Sequence, residues 1–123
     1  MFSHSAYQVL HLLGILVLFM SIGGLCLSAV NGLDRASNRG RKLAAISHGV
    51  AMLIILVAGF GMLARLGISG SWPGWVWGKL VIWVLLGAAV APIGRKPELA
   101  RLLWFVLPVL GGLAAYLAIY KPI

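Results

Sequence analysis

The side chains in this sequence that could do chemistry are few, and most are cations. Histidines stand at His4, His11 and His48, and the bases Arg65 and Lys79 interrupt or end long apolar stretches. A histidine in such surroundings can act as one axial ligand to a haem iron or as a hydrogen-bond donor to a quinone. A base there must snorkel to the membrane interface or meet an anion or dipole such as a lipid phosphate, a haem propionate or a quinone carbonyl. The two acids, Asp34 and Glu98, both fall in polar connections, so an intramembrane carboxylate relay of the kind that proton-coupled transporters use is absent from the sequence. No Ser/His/Asp arrangement, Gly-rich phosphate loop or His-x-x-x-His pair is present, and no catalytic residue is assigned. Cys26 is the single cysteine, which excludes an intramolecular disulfide and a Cys-x-x-Cys redox pair.

The elements that must carry these residues follow from composition. Of 123 residues 62% are apolar and 10% charged, and the mean hydropathy is +1.04, which places the chain in the integral membrane class. Four spans are predicted, at about 7–30, 43–66, 75–93 and 102–120, and together they make residues 1–123 one transmembrane domain. The first lacks a basic prelude and an A-x-A site, so it reads as a retained span. With such short connections the simplest fold is an all-α, up-and-down four-helix bundle. Small residues mark the packing faces: Ala44, Ala51 and Ala58, in heptad register with Arg65, on the second span; Gly14, Ser21, Gly24 and Ser28 on the first; Gly111, Ala115 and Ala118 on the fourth, with a kink expected at Pro108.

The net charge of +8 would suggest nucleic acid in a soluble chain, but here the bases cluster between spans. Arg35, Arg39, Arg41 and Lys42 precede the second span and Arg95, Lys96 and Arg101 precede the fourth, seven of the ten bases in all. The positive-inside rule then puts both loops in the cytoplasm, against lipid headgroups, and both termini outside. No nucleic-acid partner is expected. Pro97 and Glu98 suit the start of the fourth helix. The opposite loop holds Trp72, Trp75 and Trp77, read as interfacial anchors and a candidate docking surface.

Depth along the spans sorts the chemistry. At 1.5 Å per residue His11 lies about 6 Å below the outer interface and His48 about 7.5 Å above the inner one. The gap of roughly 15 Å forbids a shared metal, whose ligands sit at about 2 Å. No metal site independent of a haem is expected. Arg65, Lys79, Tyr7, Tyr116, Tyr120 and Trp75 all fall in the outer layer with His11.

The segments Leu10-His-Leu-Leu-Gly14, Ser47-His-Gly-Val50 and Trp75-Val-Trp-Gly-Lys-Leu80 open the first three spans. In these, and in a layout that covers nearly the whole chain, the sequence resembles small four-span bacterial inner-membrane proteins of the SirB and CopD-like kind and, more distantly, the HemJ-type protoporphyrinogen oxidases. In the HemJ type a first-span histidine and a third-span lysine following a tryptophan are associated with a haem-bearing site, which by position implies that role for His11 and Lys79. The sequence departs from that pattern at the end of the third span, where Pro92 and Gly94 stand in place of a further histidine.

These readings lead to an expected non-catalytic accessory or stabilising subunit of a larger bacterial energy-converting complex in the inner membrane. Its partners would be the bilayer and other membrane subunits or further copies of itself. The alternative is a HemJ-like membrane redox protein binding haem b or quinone, with His11, Arg65 and Lys79 holding the cofactor on the outer leaflet side.

Overall fold

The computed structural model describes residues 2–33, 36–68 and 70–122, the side chain of Pro97 excepted. Arg35, one of the bases assigned to lipid headgroups, lies outside the described residues. The helices are α1 (His4–Val30), α2 (Arg41–Arg65), α3 (Gly74–Ala88), α4 (Val90–Arg95) and α5 (Pro97–Tyr120), with no strand among the described residues. α3 and α4 run on as one span, Gly74–Arg95, and each of the four spans is long and apolar enough to cross a membrane. The protein is an all-α, four-helix, multi-pass membrane protein.

Local chemistry sets the helix ends. Ser3 Oγ accepts the Ala6 N–H at 3.1 Å and caps α1. α1 and α2 close in the same way. The Leu33 N–H reaches Ser28 O and the Ile68 N–H reaches Leu63 O, each at 3.0 Å, across Gly32 and Gly67 at φ +79° and +75°. Only glycine takes that conformation without a Cβ penalty. Pro97 opens α5 with Glu98 in its first turn, where the missing N–H and the negative charge are both tolerated.

The four spans form a ring in the order α1, α2, α3, α5, and each neighbouring pair meets at a glycine that makes room for the other helix. Gly14 of α1 faces Ile54 and Ile55 of α2, Gly87 of α3 faces Met52 of α2, Gly78 of α3 faces Leu117 of α5, and Gly111 of α5 faces Phe19 of α1. Lipid offers no hydrophobic driving force between helices, so such close approach carries the association. The alanine stripe of α2 points inward, with Ala51 and Ala58 fully buried, while Gly24 of α1 stays exposed.

The third span is interrupted at Ala89. Pro92 has no N–H to give to Ala88 O and its ring crowds that carbonyl, so α3 ends at Ala88 and α4 resumes at Val90. α4 packs on α1 and α5 and adds Ile93 to a core with Ile22, Cys26 and Ala100. Pro108 lies inside α5, which runs unbroken from Pro97 to Tyr120, and stands on an exposed face.

α2 and α3 approach one another over a short stretch, where two side chains bridge them. Trp83 Nε1–H donates to Met52 O at 3.1 Å, and buried His48 donates from Nε2 to Leu86 O at 3.2 Å. A carbonyl can only accept, so Nε2 carries the proton of His48. His48→Leu and Trp83→Phe are each expected to lower stability by about 0.6–1.7 kcal/mol, the range for interhelical hydrogen bonds in bilayers. Thermal melting in mild detergent checks this, and the double variant should lose more than either single one.

Candidate functional site

The ends of α1 and α2 that carry His4 and Arg65 lie beside the start of α3 and the end of α5. At this terminal end the helices line an open-sided cavity of about 520 Å³. All four spans contribute to its wall. That volume falls within the range of roughly 300–1,000 Å³ typical of small-molecule and cofactor sites. The wall is largely apolar, with Trp75 and Trp83 of α3 and Phe60 of α2 among its aromatic rings. Its polar groups are His4, Gln8, His11, Lys79 and Lys121.

His11 is held in one orientation. Its Nδ1 lies 3.0 Å from Ile55 O of α2, and because the carbonyl can only accept, Nδ1 carries the proton. The Nε2 lone pair is then the ring's free donor of electrons. A backbone carbonyl in this role fixes tautomer and ring direction in the way the outer partners of metal-bound histidines do. Gly59 of α2 lies against the ring, and a Cβ there would be in ordinary contact with His11 Cε1 at 3.5 Å.

Lys79 enters from α3 because Trp75, Lys79, Ile82 and Leu86 share one inward face of that helix, at spacings of four, three and four. It lines the same cavity as His11 and Lys121. Lys121 follows the last residue of α5, and its Nζ lies 5.4 Å from the centroid of the Trp75 ring. The structure thus brings together His11 and Lys79, as the sequence predicts, and adds Lys121 and Trp83.

Other expected members of this layer stand elsewhere. Arg65 is exposed and outside the cavity wall, because at the last turn of α2 its long stem reaches water without leaving the helix. Tyr116 and Tyr120 are also exposed and pack on each other with ring centroids 5.1 Å apart. Trp75 is 8% exposed, so it is a wall of the cavity and not part of a docking surface. Trp72 is half-buried between Phe60 and Trp77, at centroid distances of 5.4 and 5.0 Å, and fastens the loop to α2. Trp77, at 55% exposure, is the one of the three that faces outward.

His48 belongs to a different layer, bonded to Leu86 O, seven residues beyond Lys79 on the same helix. Among the described residues no cluster of three His, Cys, Asp or Glu side chains could hold a metal ion on its own. The bases Arg39, Lys42, Arg95, Lys96 and Arg101 are exposed at the opposite end, with Arg41 partly covered there. Comparison with protein families, with characterised proteins and with solved structures finds no match for this chain.

Proposed function

We propose that the protein is a membrane redox protein that carries a haem-class cofactor in the cavity at its terminal end. The observation that carries this reading is the oriented His11, whose Nδ1–H is engaged by Ile55 O while its Nε2 stays available in an apolar, cofactor-sized cavity. His11 would supply one axial nitrogen, and Lys79 would meet an acidic edge group. Trp75, Trp83 and the aliphatic wall keep water from the bound face. When bound, haem supplies electron transfer at iron, tuned by the axial ligand and by burial. The same donors suit a quinone, whose carbonyl oxygens accept from Lys79.

In this reading the chain lies in a bacterial inner membrane, with the two basic loops on the cytoplasmic side and both termini outside. A dithionite-reduced minus oxidised visible spectrum of the tagged protein, purified in mild detergent from its native membrane, tests the proposal. Stoichiometric haem bands are expected. A featureless spectrum from folded protein overturns it.

One observation favours a second role, as an accessory or stabilising subunit of a larger energy-converting complex. In an apolar 18-residue stretch of the α5 span 11% of residues are buried, against 22–28% in the other three spans, and α5 exposes Trp104, Phe105 and Val109 along its length. Affinity purification from native membranes is then expected to bring down other membrane subunits in fixed ratio. Recovery of this polypeptide alone removes that role.

A further inference from the structure

We infer that the seam between α1 and α5 at the basic end is a binding site for one anionic phospholipid, with an acyl chain in an apolar groove and the phosphate against Arg101. The site stands apart from the cavity of the proposed function and does not rest on that reading.

A second pocket, of about 220 Å³, opens between the two helices, with Phe19, Gly23 and Cys26 on the α1 side and Leu103, Trp104 and Pro108 on the α5 side. The buried Cys26 thiol is the one ionisable group in its wall. Gly23 leaves the space open: a Cβ there would lie 3.6 Å from Trp104 Cζ3, so a side chain longer than that of alanine would enter the seam. Trp104 itself is 46% exposed and stands at the rim. A further helix, roughly 10 Å across, is too wide for this space, whereas a single acyl chain is not.

The depth of the groove matches one leaflet. On α1, which ends at Val30, Cys26 and Phe19 lie about 6 and 17 Å from the end; on α5, which starts at Pro97, Leu103 and Pro108 lie about 9 and 17 Å from the start. Both helices therefore place the groove in the same half of a hydrocarbon core of roughly 30 Å, the half on the side of the basic loops.

Charge selects the headgroup. Arg101, Trp104 and Pro108 share one face of α5, at spacings of three and four. Long side chains on a helix lean toward its N-terminus, so the exposed Arg101 extends beyond the groove toward headgroup level. α4 packs on the same two helices and ends at the exposed bases Arg95 and Lys96. The two loops at this end hold seven bases against the acids Asp34 and Glu98, so the end is net positive. A zwitterionic headgroup brings a cation of its own to such a surface. An anionic one does not, and basic pockets between membrane helices are where such headgroups bind.

The test uses the purified full-length protein in a neutral detergent, titrated with phosphatidylglycerol or phosphatidylcholine of the same chains, brominated on those chains so that they quench tryptophan on contact. Saturable quenching is expected, with phosphatidylglycerol bound at least about fivefold more tightly, the effect of one base near a headgroup. Trp104→Phe should remove most of the saturable quenching. Arg101→Gln should weaken phosphatidylglycerol about fivefold and leave phosphatidylcholine unchanged, while Lys42→Gln, which removes a base of the same end from α2, should change neither. Gly23→Leu should weaken both lipids severalfold, because its side chain takes the place of the acyl chain.

Equal affinity for the two lipids overturns the inference, as does quenching that survives in Trp104→Phe. Equal loss from Arg101→Gln and Lys42→Gln assigns the preference to diffuse attraction by the basic loops and also overturns it. Quenching of Trp104 by neither lipid, in protein that runs as a dimer, gives the groove to a second copy of the chain. Arg101, Trp104 and Gly23 do not line the haem-class cavity, so each outcome stands whether or not haem bands are found.

Discussion

With His11 replaced by alanine, the protein is expected to lose the haem bands of the native preparation almost completely. His11 Nε2 is the one nitrogen in the cavity whose direction is fixed by a second bond, from Nδ1 to Ile55 O at 3.0 Å. Loss of an outer-shell partner alone typically costs about 10–100-fold in metal affinity, and loss of the ligand itself should exceed that. The structural cost should be small. Ile55 O keeps its helical N–H partner, so the variant gives up one interhelical hydrogen bond, worth about 0.6–1.7 kcal/mol. His11→Gly supplied with free imidazole should regain part of the spectrum, because the missing side chain leaves room for the ring it replaces. The check is the reduced minus oxidised spectrum beside a melting curve of the same preparation. A variant that melts like the parent yet keeps full haem content removes His11 from the site.

Gly14→Leu is expected to have the largest effect on stability. A Cβ at Gly14 would sit 3.0 Å from Ile55 Cγ1, 3.1 Å from Ile54 Cγ2 and 3.4 Å from Ala51 O. These are two β-branched side chains and a backbone atom, none of which can yield far. Alanine therefore should cost about 1 kcal/mol, by forcing small shifts, and leucine about 3 kcal/mol or more, by driving α1 from α2. The consequence reaches the cavity, because Ile55 also supplies the carbonyl that orients His11. Thermal melting in mild detergent should rank the parent above Gly14→Ala and Gly14→Ala above Gly14→Leu, with haem content falling in the same order. A leucine variant as stable as the parent would show that α1 and α2 are not tightly seated at this point.

The third span shows where sequence patterning stops being informative. Its apolar run and its length are plain in the residues, and so is the inward spacing of Trp75 and Lys79. That Pro92 would split it, while Pro108 leaves α5 continuous, depends on what covers the freed carbonyl and on where the chain can pack next. α4 finds a place between α1 and α5. There Ile93 joins the buried core, while the larger open cavity lies at the other end.

The sequence by itself determined the membrane class, the four spans, the small-residue faces and the shared depth of His11 and Lys79. Each of these depends on hydropathy, length or rise per residue, which are properties of one helix at a time. Tertiary structure decided the rest. Arg65 continues the register of buried Ala51 and Ala58 yet faces water, because a periodic face constrains a long side chain less at the last turn of a helix. Trp75 turns inward and Trp77 outward, although both belong to one tryptophan-rich segment, because they lie on opposite sides of α3. Lys121 joins the cavity through a left-handed turn after α5, which no helical period anticipates. The depth of a residue is fixed by its own helix; its direction and its partners are fixed by how the neighbouring helices pack around it.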